Sequence, residues 1–141
     1  EQELLTVCPS PITQLLDDLL AECQKYYVTD IAYDPYNGQI VKEFFTQEGM
    51  IAEPMAQSSA QFNEPIADLQ RSIKAGRFAH SGDPLLRRAI ENTVLITSSQ
   101  ERSMYDKSKS RGKIDAVVAM TMAYRRAMVA PRRATGRLFS I

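Results

Sequence analysis

The stretch Val28-Thr29-Asp30-Ile31-Ala32-Tyr33-Asp34-Pro35 decides how the rest of the chain reads. It is short, apolar and β-branched. It stops at a proline, which cannot donate to a ladder and pushes its predecessor towards extended geometry. It therefore reads as a buried strand that ends in an aspartate. Upstream, Ser10-Pro11 opens a helix, because a serine caps and a proline in the first turn loses no hydrogen bond. Ile12, Leu15, Leu16, Leu19, Leu20 and Cys23 then recur at helical spacing. At about 1.5–3 kcal/mol for each fully buried leucine or isoleucine, that stripe has to dock on something large, such as a sheet.

Downstream the same alternation repeats. Tyr36-Asn37-Gly38 turns into a helix with Ile40, Val41, Phe44 and Phe45 inward and Gly49 as its stop. Met50 to Met55 reads as a second strand, and Ser58-Ser59 leads into a third helix carrying Phe62, Ile66, Leu69 and Ile73, closed by Gly76. Arg77 to His80 is a short extended piece. Asp83-Pro84 starts a helix with Leu85, Leu86, Ala89 and Ile90; Thr93 to Thr97 is another strand. Ser98 to Arg111 is a polar loop or hairpin. A last helix runs from near Gly112 to about Met128, with Ile114, Val117, Val118, Thr121 and Met122 buried, and Pro131 ends it. Helices alternating with short apolar strands imply an α/β layered domain over residues 1–130. Residues 131–141 form a basic, flexible tail. The chain begins almost directly with a helix, so the sheet looks short of strands on its N-terminal side.

Composition bounds the function. The chain has 141 residues, 44% hydrophobic and 24% charged, close to soluble globular averages. No apolar run approaches a membrane span, and no signal peptide is visible. Cys8 and Cys23 are too few for a disulfide framework, which fits a reducing, cytoplasmic setting. The net charge of zero conceals a division. Residues 1–70 hold 2 basic and 12 acidic side chains, whereas residues 71–141 hold 15 basic and 5 acidic ones. Such asymmetry points to a polyanionic partner, unless the halves pair within one fold and cancel. There is no GxxxxGK[ST] loop, no GxGxxG and no GxSxG, and His80 is the only histidine.

What remains for chemistry is carboxylates. Asp34 stands at the C-terminal end of a strand, the edge where open α/β sheets place ligands, although Asp-Pro is also ordinary turn chemistry. Asp115 lies in the first turns of the last helix, where the helix dipole alone would favour it by about 0.3–1 kcal/mol. Two carboxylates from separate elements meeting at one margin would suit Mg²⁺ or Mn²⁺. Lys107, Lys109, Arg111 and Lys113 precede Asp115 and form either a solvated loop or a phosphate-neutralising cluster. His80 is a structural or surface histidine before it is a catalytic one.

The ordered set Val28–Pro35, Gly76-Arg77-Phe78-Ala79-His80-Ser81-Gly82-Asp83-Pro84-Leu85-Leu86, Glu91-Asn92-Thr93-Val94, Asp106-Lys107 and Lys113-Ile114-Asp115-Ala116-Val117-Val118-Ala119-Met120 resembles the C-terminal nuclease domain of large terminase subunits from tailed double-stranded DNA phages. The resemblance runs from about Leu4 to Arg126. It implies a ribonuclease H-like fold, a mixed sheet flanked by helices and lacking its N-terminal strands in this chain. It also implies an endonuclease that cuts concatemeric viral DNA by two-metal phosphodiester hydrolysis, with Asp34 and Asp115 as catalytic metal ligands. His80 and Asp83 lie in a recurring family motif and are possible accessory residues. Lys107, Lys109, Arg111 and Lys113 are the expected DNA contacts. The family's first cluster aspartate belongs to a strand upstream of anything present, so unaided cleavage is expected to be weak or absent. The implied partners are double-stranded DNA, the terminase ATPase domain, the small terminase subunit and the portal. A homo-oligomer through the exposed sheet edge is expected too. The alternative is a non-catalytic DNA-binding or packaging-assembly module.

Overall fold

The computed structural model describes residues 12–36 and 38–129; Ser10, Pro11, Asn37, Pro131 and the basic tail lie outside that range. Its elements follow in the order α1 (Ile12–Lys25), β1 (Asp30–Tyr33), α2 (Gln39–Gln47), β2 (Ile51–Pro54), α3 (Ser59–Lys74), α4 (Pro84–Asn92), β3 (Leu95–Thr97), β4 (Ser103–Tyr105) and α5 (Asp115–Val129). β1 and β2 pair in parallel, with Asp30 opposite Ile51 and Tyr33 opposite Pro54. β3 and β4 form an antiparallel hairpin, with Leu95 opposite Tyr105. Parallel and antiparallel pairing thus occur in two separate two-stranded sheets.

Both parallel strands start later than their apolar runs suggest, because helix capping uses the first amides. Tyr27 takes a left-handed φ of 55°, and the Val28 N–H donates to the Cys23 carbonyl at 2.8 Å. This closes α1 in a Schellman motif and delays β1 from Val28 to Asp30. Gly49, at φ 76°, does the same for α2: the Met50 N–H reaches the Phe45 carbonyl at 2.9 Å, so β2 begins at Ile51.

Pro65 sits inside α3. It has no N–H for the Gln61 carbonyl one turn earlier, a loss that ordinarily kinks a helix. Arg125 supplies the missing donor, its Nη1 meeting that carbonyl at 3.0 Å.

The core lies between α3, α5 and the strand ends. Met55, Phe62, Ile66, Ile114, Val118 and Met122 are buried together, with Ala32 and Tyr105 packed on them. Tyr105 stands edge-on to Phe62 at 6.0 Å, and its hydroxyl meets Thr121 Oγ1 at 2.7 Å. The buried face expected of α5 is the observed one: Ile114, Val117, Val118, Thr121 and Met122 are all buried. The stripe on α1 is different. Leu16 alone of it is buried, while Ile12, Leu15 and Leu19 remain 45–49% exposed. Two strands give that helix too little sheet to cover, and the outer edge of β1 pairs with no strand among the described residues. Within the polar stretch 98–111, read as loop or hairpin, Ser103–Tyr105 pairs as β4 and makes the hairpin. The Ser103 N–H is held by Asn63 Oδ1 at 2.7 Å, which ties the hairpin to α3.

Candidate metal and nucleic-acid site

α5 runs against the direction of β1. Arg126, near the end of α5, forms a bidentate pair with Asp30 at the start of β1, at 2.6 and 2.8 Å. Ala32 packs against the core cluster that includes Val118 and Met122, and Asp30 and Ala32 line one groove with Met122 and Arg126. From Arg126 back to Asp115 is about 16 Å of helix, and from Asp30 to Asp34 about 13 Å of strand, at ~1.5 and ~3.3 Å per residue. The N-terminal end of α5, which carries Asp115, therefore points along β1 towards the end that leads into Asp34.

At that end Asp34 is held from two sides. Its Oδ1 accepts the Tyr36 N–H at 3.0 Å and its Oδ2 accepts Gln57 Nε2 at 2.6 Å. The chain folds tightly over it: a Cβ at Gly38 would collide with the Asp34 carbonyl oxygen and come within 2.5 Å of the Tyr33 ring. Gly38 is thus fixed by close approach.

Asp115 occupies the first turn of α5 with its side chain 71% exposed, and Lys107 Nζ lies 3.4 Å from its Oδ1. Gln57 and Lys107 line one cavity of about 340 Å³ with Asp106, Phe62, Ile96, Met104, Tyr105 and Val118. The polar mouth of this cavity links the surroundings of Asp34 to those of Asp115. On the other flank of Asp115, a cleft is walled by Arg88, Arg111 and Lys113.

The loop that carries Lys107 is stiffened by Asp106. Its Oδ1 accepts the Ser108 hydroxyl at 2.6 Å and the backbone N–H groups of Ser108 and Lys109. These hydrogen bonds, the Ser108 hydroxyl foremost, hold the Asp106 carboxyl below the usual carboxylate range. Lys109 Nζ lies 3.4 Å from Asp106 Oδ2, so its charge is directed at the loop itself.

Two further expected residues have local hydrogen-bonding roles. Asp83 caps α4, its Oδ1 accepting the Leu86 N–H at 2.8 Å. His80 Nδ1 accepts the Gly82 N–H at 3.0 Å, and its ring lies 6.4 Å from Phe78, which packs edge-on to Tyr124. Tyr124 is nine residues beyond Asp115, about 13 Å along α5 at ~1.5 Å per residue. Sequence reasoning passed over Gln57 and Arg88. Gln57 was findable, since it follows the C-terminal end of β2 as Asp34 follows that of β1, and the same edge rule applies to both.

Asp34 and Asp115 offer only oxygen donors, the kind that Mg²⁺ and Mn²⁺ take. Among the described residues no three His, Cys, Asp or Glu side chains converge as a metal cage. The set therefore fits an ion that keeps waters and takes further oxygens from a substrate phosphate. No helix among the described residues is long and apolar enough to cross a membrane.

The fold is shared with solved phage large terminase structures. The crystal structure of the HK97 bacteriophage large terminase superposes with a TM-score of 0.77 at 23% identity, over 86% of this chain and 26% of that one. The large terminase nuclease from thermophilic phage G20c superposes at 0.64 and 18% identity, over 84% of this chain and 63% of that one. These likenesses show that the chain shares the α/β fold of those two terminase structures. Residues 10–130 match the terminase large subunit endonuclease domain, and the chain belongs to that family. Protein YmfN of Escherichia coli K12 is 28% identical over 104 residues, and the large terminase subunit of Enterobacteria phage HK97 is 37% identical over 60. The aligned regions span 23% and 12% of those two proteins.

Proposed function

We propose that this chain is a divalent-metal-dependent DNA endonuclease domain of a phage-packaging terminase, cutting concatemeric viral DNA, with Asp34 and Asp115 as its metal ligands. The observation that supports the reading is one cavity lined by both Gln57, which bonds Asp34, and Lys107, which pairs with Asp115. A bound Mg²⁺ or Mn²⁺ would supply Lewis-acid stabilisation of phosphate charge and an activated water. The protein's own part is to hold Asp34 by its two hydrogen bonds. Lys107 sits at the cavity mouth and Arg88, Arg111 and Lys113 along the cleft, where they meet the DNA backbone. Family likeness further implies the ATPase domain, small subunit and portal as partners, in the cytoplasm of an infected or prophage-carrying bacterium. The open edge of β1 is the surface for self-association.

The test is nicking of supercoiled plasmid with Mn²⁺. Asp34→Ala and Asp115→Ala are each expected to reduce the rate at least a hundredfold. Nicking untouched by both substitutions would sink the site assignment. The second reading, a non-catalytic DNA-binding module, draws on the basic cleft. No nicking in the parent, together with metal-independent DNA binding that weakens steeply with salt, would select it.

A further inference from the structure

We infer that Gln57 is a positioning residue: it fixes the Asp34 carboxylate for a divalent cation while leaving its negative charge intact. The inference rests on the metal-site reading above and adds a residue to it. Both oxygens of Asp34 are engaged by neutral donors, the Tyr36 amide on one and the Gln57 side-chain amide on the other. A carboxylate has about four lone-pair positions, so one hydrogen bond to each oxygen orients it and leaves the others for an ion. A carboxylate accepts only, so the nitrogen of the Gln57 amide is the atom that faces it. Asp115 differs in this respect, because its neighbour is the Lys107 ammonium.

Gln57 is itself held in place from both sides in sequence. The buried Met55 donates its N–H to the Tyr33 carbonyl at 2.8 Å, extending the β1–β2 register to the residue just before Asp34. The Ser58 N–H then returns to the Ala56 carbonyl at 2.8 Å, and Ser58 takes the extended conformation of an N-cap at the start of α3. The side chain between these anchors meets Asp34 from a backbone with little freedom, the condition under which an outer partner tunes a metal ligand.

The experiment is titration of the chain with Mn²⁺, followed by calorimetry, on the parent, Gln57→Met, Gln57→Lys and Asp34→Ala. Methionine keeps the length and removes the donor; lysine keeps a donor and adds a competing positive charge. Affinity is expected to fall about tenfold in Gln57→Met, further in Gln57→Lys, and beyond detection in Asp34→Ala, with melting temperatures close to the parent's. Parent-like affinity in Gln57→Met, with binding still lost in Asp34→Ala, overturns the role of Gln57 and leaves the metal site standing. Binding unaffected by Asp34→Ala, or absent from the parent, overturns both.

Discussion

At the C-terminal end of α5, Tyr124 and Arg126 direct their polar atoms at protein partners, whereas at its N-terminal end Asp115 stays 71% exposed and meets only Lys107, at 3.4 Å. The Tyr124 hydroxyl bridges Ser72 Oγ and Asp68 Oδ2 at 2.8 and 2.7 Å. Arg126 and Asp30, with side chains 21% and 15% exposed, satisfy each other bidentately. One helix thus carries a polar network that ties the layers together and a carboxylate that does nothing for the fold. Polar groups that are half-buried and fully partnered are explained by stability. A carboxylate left in solvent beside a cavity and a basic cleft is free of such a duty, and the proposed metal role draws on that position.

The comparison breaks most sharply if the two ends are substituted in turn. Asp115→Asn is expected to abolish Mn²⁺-dependent nicking while leaving stability within about 0.5 kcal/mol, as for an exposed surface site. Asp30→Ala should do the reverse in kind. It strands the Arg126 guanidinium and costs about 1–3 kcal/mol, towards the lower end because the pair keeps some solvent. Urea denaturation read beside plasmid nicking separates these outcomes. Equal stability losses at both ends would mean that Asp115 is structural after all.

A milder probe is Tyr124→Phe, which removes one hydroxyl from the C-terminal network and should cost about 1 kcal/mol at neutral pH. Its pH dependence sharpens the point. The Tyr124 hydroxyl first, then Arg71, holds the Asp68 carboxyl below its ordinary value. A carboxylate lowered in the folded state adds stability that is complete above the unfolded value of roughly 4 and fades as pH falls through the folded one. The gap between Tyr124→Phe and the parent should therefore narrow between about pH 5 and pH 2 in a series of thermal melts. A constant gap would assign the hydroxyl's effect to Ser72 alone. The smallest effect expected is on Asp106→Asn: its stability should depend less steeply on pH below about 4, since Asp106 too is held low by its hydrogen bonds.

The charge division of the sequence also divides between the ends. Among the ion pairs of the described residues, Arg126–Asp30 is the one that joins the acidic and basic halves across a long sequence separation. No ion pair among the described residues joins the basic groups of the loop and cleft to the acidic half, and the proposed DNA contact draws on that.

Much of this was legible from local chemistry. The β1 run ending in Asp34-Pro35, the helix stops at Gly49 and Gly76, the Asp83-Pro84 start of α4 and the buried face of α5 all follow from propensities and periods that act within a few residues. Asp34 and Asp115 could be singled out because strand ends and helix starts are places where a carboxylate has a physical reason to sit. The strand starts were misplaced by one or two residues, because capping amides compete with ladder amides and sequence alone does not say which wins. The burial of α1 was overestimated, since an amphipathic stripe states what could be buried and only the width of the sheet states how much is.

What tertiary structure alone decided is the pairing across distance. Arg126 with Asp30, Arg125 with the Gln61 carbonyl freed by Pro65, and Gln57 with Asp34 are contacts of 96, 64 and 23 residues' separation. No local period encodes them. They arise because α5 packs on both β1 and α3, and β1 pairs with β2, so the burial of one shared apolar cluster fixes which polar groups meet around it.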